Sequence, residues 1–161
     1  MNFWSSDLSG SQFTGAVLSR SWLGNANLTQ TDFRSAELGG AWLTGSDLTD
    51  AHFGGATLAG ASLSRTCLRD ANFTGVFAMS ADFRSSICSG TYFKAANLTG
   101  AIFRGASLVS VDFSFADLGG VDFSDTLVFE DVTLEGSRHD ESTQWPKGFD
   151  PPPSVGVTHH E

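Results

Sequence analysis

The sequence predicts an all-β solenoid of square cross-section, built from four short extended segments per coil. Three observations carry this expectation. A five-residue period runs without insertion from Phe3 to Phe123, and of its 25 large positions 13 are Leu and 10 are Phe. Only Ala78 and Cys88 depart from that rule, and both are non-polar. Two inward positions in every five residues fit neither a helix of period 3.6 nor a simple alternating strand. The third observation is the sorting of the large residues into columns that advance by 20. One column is all Phe (Phe13, Phe33, Phe53, Phe73, Phe93, Phe113), and two are mainly Leu. Identical side chains one strand spacing apart stack as ladders, so four segments make one coil.

Each position in the five has a role. Two residues before the large side chain stands a small one, such as Ala26, Ala36, Ala41, Ala51 or Ala56, which leaves room beside the bulky neighbour. Between them lies an outward residue that is usually polar, as in Asp7, Asn27, Asp32, Glu37, Asp47, Asn72, Asp82, Asn97, Asp112, Asp117 and Asp122. The last two positions are mostly Gly, Ser, Thr, Asp or Arg, the residues of tight corners. Six coils at about 4.8 Å each give a rod on the order of 30 Å long. Because coils touch only their neighbours, stability accumulates along the axis.

Segments such as Ala26-Asn27-Leu28-Thr29-Gln30, Ala71-Asn72-Phe73-Thr74-Gly75 and Ala96-Asn97-Leu98-Thr99-Gly100 resemble the A(D/N)LXX consensus of pentapeptide-repeat proteins. The resemblance covers about three quarters of the chain. It implies a right-handed quadrilateral β-helix, here of about six coils over residues 1–125, followed by a C-terminal cap over 126–150 and a disordered tail over 151–161.

Two segments interrupt the pattern. In Val76-Phe77-Ala78-Met79-Ser80 the large position shrinks to Ala78 while the small one grows to Val76, which restores part of the lost volume. In Ser86-Ile87-Cys88-Ser89-Gly90 the large position is Cys88, pointing inward, whereas Cys67 one coil earlier points outward, so no disulfide joins them. After Phe123 the register decays, and Phe129, Leu134 and Trp145 become candidate plugs for the last coil. At the other end the repeat begins at the first residues. Either Met1, Phe3 and Trp4 fold over the first coil, or a second subunit covers it, so pairing through a coil end is a motivated expectation.

Composition narrows the function classes. The chain has 161 residues, 18 acids and 9 bases, for a formal net charge of -9, but only 17% of its residues are charged and 14 are Phe, so it is no disordered acidic protein. Two cysteines are too few for a disulfide scaffold, and the first residues have neither a basic nor an apolar leader region, so the cytoplasm is the expected compartment. No apolar run reaches the roughly 18 residues of a membrane span, and the acidic balance argues against direct contact with nucleic acid or anionic membrane.

Nothing in the sequence assembles a catalytic, cofactor or metal site, so the chain is expected not to be an enzyme. His52 falls between Asp32 and Asn72 on an open face with no nucleophile, and a solvated polar ladder is expected there. His159, His160 and Glu161 sit in the tail, which offers no preorganised metal geometry. Outward apolar residues are more informative. Trp22 and Trp42 fall on one face in successive coils and form the candidate partner-binding pair, with Arg84 and Arg104 further along the same face. Phe77, Met79, Ile87, Tyr92 and Ile102 are also outward but spread over several faces.

The expected function is therefore a non-catalytic interaction or scaffold module with an unidentified protein partner. The resemblance implies an alternative: the best understood family members imitate double-stranded DNA and bind DNA gyrase or topoisomerase IV, protecting against quinolone-like poisons. Charge placement weighs against it, since residues 1–123 carry ten acids and seven bases and residues 124–161 carry eight acids and two.

Overall fold

The computed structural model describes residues 1–156, and the candidate tail ligands His159, His160 and Glu161 lie outside them. The chain winds as a right-handed quadrilateral β-helix. Each outward residue bridges, in parallel, the residue twenty positions on: Asn2 to Trp22, Asp7 to Asn27, Gln12 to Asp32, Val17 to Glu37, and so on to Ile102 and Asp122. We number the faces 1 to 4 in chain order, so that face 1 holds residues 1–5, 21–25 and 41–45, face 2 begins at residue 6, face 3 at 11 and face 4 at 16.

The corners explain the five-residue period. A four-residue turn closes each face, as where the Ala36 N–H donates to the Phe33 carbonyl at 3.0 Å. Every fifth residue from Ser5 to Asp125 has positive φ. Gly tolerates that conformation freely, and Asn or Asp at modest cost, but the chain also places Arg20, Ala95 and Phe115 there. The outward Asp or Asn has a backbone role as well. Its Oδ1 accepts the N–H two residues later, from Arg34 to Asp32 at 2.9 Å, from Thr74 to Asn72 at 2.9 Å and from Thr49 to Asp47 at 3.0 Å. An Asx turn thus primes each such corner, which is the physical reason for Asp or Asn beside the large residue.

Inside the coil the columns are ladders. Rings of the Phe column follow one another at 5.4 Å (Phe13 to Phe33), 4.8 Å (to Phe53), 4.5 Å (to Phe73), 5.1 Å (to Phe93) and 5.2 Å (to Phe113). On the opposite wall Phe83, Phe103 and Phe123 form a second ladder, at 4.7 and 5.3 Å. The two ladders meet edge to face, Phe93 against Phe103 at 5.7 Å and 87°. From Ser21 to Thr91, where Ser or Thr fills a small inward position its hydroxyl is satisfied by a backbone carbonyl, as from Ser46 to Leu43 at 2.6 Å and from Thr91 to Leu68 at 2.7 Å, whereas the buried Thr126 hydroxyl has no partner among the described residues. Val76, Ala78 and Cys88 are all fully buried, and both cysteines are free thiols. Burial pushes the Cys88 thiol up to about 12.

Beyond Phe123 the ladder does not stop. Strand β1 (Ser107–Val109) pairs in parallel with β2 (Val128–Glu130), and Asp112, Asp117 and Asp122 bridge Thr133, Arg138 and Gln144. The offset is 21 residues at first and 22 at the last bridge, so a seventh coil forms with two single-residue insertions. Leu127 is the first inserted residue: its N–H still meets the Ala106 carbonyl at 2.9 Å, but its side chain bulges out and is 78% exposed. Phe129 therefore extends the Leu108 column, and Trp145 stacks on Phe123 at 5.2 Å and 16°. The plugs expected from sequence are thus side chains of a further coil. Phe149 then folds across the coil end, 4.8 Å from Phe129 and 5.4 Å from Trp145.

Part of the stretch expected to be disordered is held in place. The Val155 N–H donates to the Ser137 carbonyl at 3.2 Å, the His139 N–H to Ser154 Oγ at 2.9 Å, and His139 Nε2 to the Pro152 carbonyl at 2.8 Å. Sequence composition suggested disorder because three prolines in a row cannot join a ladder. The structure uses them instead as a strap over the last coil.

Candidate functional site

Face 1 carries the feature that the core does not explain. Its outward column reads Asn2, Trp22, Trp42, Ser62, Asp82, Ile102 and Asp122. Trp22 and Trp42 are 53% and 50% exposed and their rings stack at 6.0 Å and 28°. That is wider than the backbone spacing of about 4.8 Å. A third ring joins them. Trp4, at a corner position of the first coil, meets Trp22 edge to face at 6.5 Å and is 46% exposed. It lies over Gly24, where a Cβ would collide with its ring. The sequence holds the signal for this third member: a bulky corner residue above a Gly at the equivalent place one coil later.

Arg84 and Arg104 share face 1 with the indoles but sit nearer its other end, beyond Ser62. Each is engaged with a neighbouring acid. Arg84 donates to Asp82 at 2.9 Å from Nε and 2.7 Å from Nη2. Arg104 Nη2 reaches Asp125 at 3.0 Å, and its Nε is 3.8 Å from Asp122. Burial raises the Asp82 pKa, but the Arg84 hydrogen bonds and charge outweigh it and leave the carboxyl below its usual range. Face 1 therefore divides into an uncharged aromatic half and an ion-paired half.

The other candidates fall apart in space. Ile102 is on face 1, Ile87 on face 2, Tyr92 on face 3, and Phe77 and Met79 on face 4, so they form no common patch. On face 3 both carboxylate oxygens of Asp32 contact Arg34, at 2.6 to 3.0 Å, and Arg34 holds that carboxyl far below its usual range. Asp32 is thereby committed to an arginine and not to His52. Among the described residues no group of three or more His, Cys, Asp or Glu could hold a metal ion, and no helix is long and apolar enough to cross a membrane. A cleft of about 810 Å³ lies under the C-terminal strap, bordered by His139, Asp140, Glu141, Trp145 and Pro151 to Pro153.

The eight outward acids Asp7, Asp32, Glu37, Asp47, Asp82, Asp112, Asp117 and Asp122 do not form the single acidic column that their shared place in the repeat suggests. They are divided among all four faces: Asp82 and Asp122 on face 1, Asp7 and Asp47 on face 2, Asp32 and Asp112 on face 3, and Glu37 and Asp117 on face 4. Twenty residues per turn send successive repeats in four directions.

Comparison with known proteins agrees with this geometry. The family model for pentapeptide repeats matches in eight copies, over residues 11–50, 43–75 and 86–125. No curated protein sequence matches the chain. Among solved structures, a pentapeptide repeat protein of the Arabidopsis thaliana thylakoid lumen is 34% identical, with 66% of this chain and 70% of that one covered and a TM-score of 0.35. QnrB1, a plasmid-mediated fluoroquinolone resistance protein, is 22% identical over 87% of this chain and 80% of its own, with a TM-score of 0.48. HetL of the cyanobacterium Nostoc, described as involved in heterocyst differentiation regulation, is 21% identical over 88% of each chain, with a TM-score of 0.33. With the family match spanning well over half of its residues, and with a Leu or Phe ladder and Asx-primed corners in coil after coil, the chain belongs to the pentapeptide-repeat family.

Proposed function

We propose that the chain is a non-catalytic scaffold that presents face 1 to a protein partner through Trp4, Trp22 and Trp42. The observation that carries this is the three-ring ladder itself. Three indoles, each about half exposed, lie side by side on a rigid face without a charged residue in the outward column beside them. Large aromatics with low conformational entropy are the usual anchors of protein interfaces, and none of the three is needed to fill the core. The test is a Trp22→Ser, Trp42→Ser double variant beside the wild type in a cross-linked pull-down. Loss of the same bands from the variant, with its thermal midpoint unchanged, supports the proposal. A large fall in the midpoint makes the indoles structural and overturns it.

The net charge of -9 favours a second reading, DNA-like binding of gyrase or topoisomerase IV. It is the weaker one. The eight outward acids are spread over four faces, the seven aspartates among them each accept a backbone N–H, and Asp32, Asp82 and Asp122 also face arginines. A phosphate rail needs unpaired charges repeated along one line. A gyrase supercoiling assay with added protein, with and without a fluoroquinolone, decides it. Inhibition or drug protection at micromolar protein would promote this second reading, and no effect would remove it.

A further inference from the structure

We propose that the cleft beneath the C-terminal strap is a binding site for a small organic cation, a primary ammonium carried on an apolar or aryl body. The cleft arises from the way the ladder is continued in the seventh coil. Asp117 bridges Arg138, and the Leu118 N–H donates to the Arg138 carbonyl at 2.7 Å, so His139 takes the large inward place one coil after Leu118. That column is otherwise Leu18, Leu38, Leu58, Ala78, Leu98 and Leu118. At the neighbouring inward place Trp145 follows Phe123, and the two new rings meet edge to face at 5.2 Å and 88°. Between them and the strap lies the volume of about 810 Å³, the size of a pocket for a small molecule.

One wall is apolar. Trp145 stands opposite Pro151, Pro152 and Pro153, whose rings fix the backbone of the strap before any ligand arrives. Trp145 already has Phe123, Phe149 and His139 against it, so it offers packing surface to the body of a ligand.

The other wall selects the charge. Asp140 and Glu141 stand at the rim, and no lysine or arginine borders the cleft among the described residues. A hydrogen bond from the Ser142 hydroxyl holds the Asp140 carboxyl below its usual range, so it stays ionised at neutral pH. Both Ser142 donors go to Oδ1, which leaves acceptor capacity on Oδ2. The Pro152 carbonyl can only accept, so His139 Nε2 carries the proton and Nδ1 of the neutral ring is an acceptor. Two carboxylates and an imidazole nitrogen are matched by the three donors of an ammonium group, and an anion would meet only repulsion. The surroundings agree in sign, since residues 124–156 hold seven acids and two bases. Because both carboxylates are exposed to water, their pull is modest, and a small ligand should bind with a dissociation constant on the order of 1 mM.

An amide NMR titration of the full chain with phenethylammonium chloride to about 20 mM tests this, beside the neutral isostere phenylethanol. The expected result is saturable shifts confined to residues 139–145 and the strap, with the alcohol bound about fivefold more weakly. Asp140→Asn with Glu141→Gln removes both charges and keeps the oxygen that Ser142 bonds. This pair should weaken the ammonium about fivefold and leave the alcohol and the thermal midpoint unchanged. Glu141→Gln alone changes only an exposed side chain, and it should still weaken the ammonium about twofold if the double variant unsettles the corner. The Trp22→Ser, Trp42→Ser variant should bind the ammonium as the wild type does, which separates this site from partner binding on face 1. An absence of saturable shifts at the cleft, an alcohol bound as tightly as the ammonium, shifts centred on the face 1 indoles, or an affinity that neither charge variant moves would each overturn the proposal.

Discussion

Trp4 rests on Gly24, in the space that a side chain there would fill. This contact holds the first indole against Trp22 and turns a pair of rings into a ladder of three. Gly24 has no positive φ, so its lack of a side chain serves the ring and not the turn. Gly24→Ala should therefore displace Trp4 and leave the coil intact. The expected outcome is a changed near-ultraviolet circular dichroism and tryptophan emission with little change in thermal midpoint. An unaltered spectrum would show that Trp4 does not depend on that gap.

Phe53 lies in mid-ladder, 4.8 Å from Phe33 and 4.5 Å from Phe73, with no exposed surface. Phe53→Ala removes two stacked contacts and leaves a cavity between coils that cannot collapse while the backbone ladder holds. A loss of about 3 to 5 kcal/mol in urea unfolding is expected.

Asp32 and Arg34 give the acid limb of the stability profile a specific source. Hydrogen bonds from Arg34 lower the Asp32 pKa in the folded state, so the associated stability is fully present above the unfolded value of 3.8 and is lost as pH falls below it toward the folded value. Asp32→Asn keeps an oxygen for the Arg34 N–H but removes the charge. Wild type and variant should differ in thermal midpoint near neutral pH and converge below about pH 3.8. A gap that stays constant down to pH 2 would contradict this.

Ala95 sits at a corner with φ of 55°, a conformation that an L residue adopts at a cost. Ala95→Gly relieves the strain but adds freedom to the unfolded chain. Because the strain is the larger effect, a gain of about 1 kcal/mol in urea unfolding is expected.

The two thiols should behave as a pair of reporters. Cys67 is half-buried and outward, with Arg69 Nη1 3.2 Å from its sulfur, and Cys88 is fully buried with its pKa raised by desolvation. A thiol reagent should modify one cysteine per native chain and two only after unfolding. Equal rates at both sites would place Cys88 in a mobile coil.

The coil was legible in the sequence because a solenoid writes its geometry as a period. Large residues at every fifth position and an all-Phe column at every twentieth leave only one way to stack, and the Phe13 to Phe113 ladder follows from that column alone. The direction of Trp22 and Trp42 was readable for the same reason. Where the period slips, sequence alone lost the chain. One extra residue at Leu127 and another between His139 and Thr143 hide a seventh coil that backbone pairing restores, because a bulge absorbs an insertion with little disturbance of the ladder. Trp4 joined the indole ladder through the void at Gly24, and the prolines became a strap through hydrogen bonds to His139 and Ser137, contacts between segments that no repeat encodes. Local periodicity determined how this chain winds. Only the tertiary structure decided how the last coil is covered and which face is left with its aromatic rings in water, since these depend on where unrelated segments come to lie.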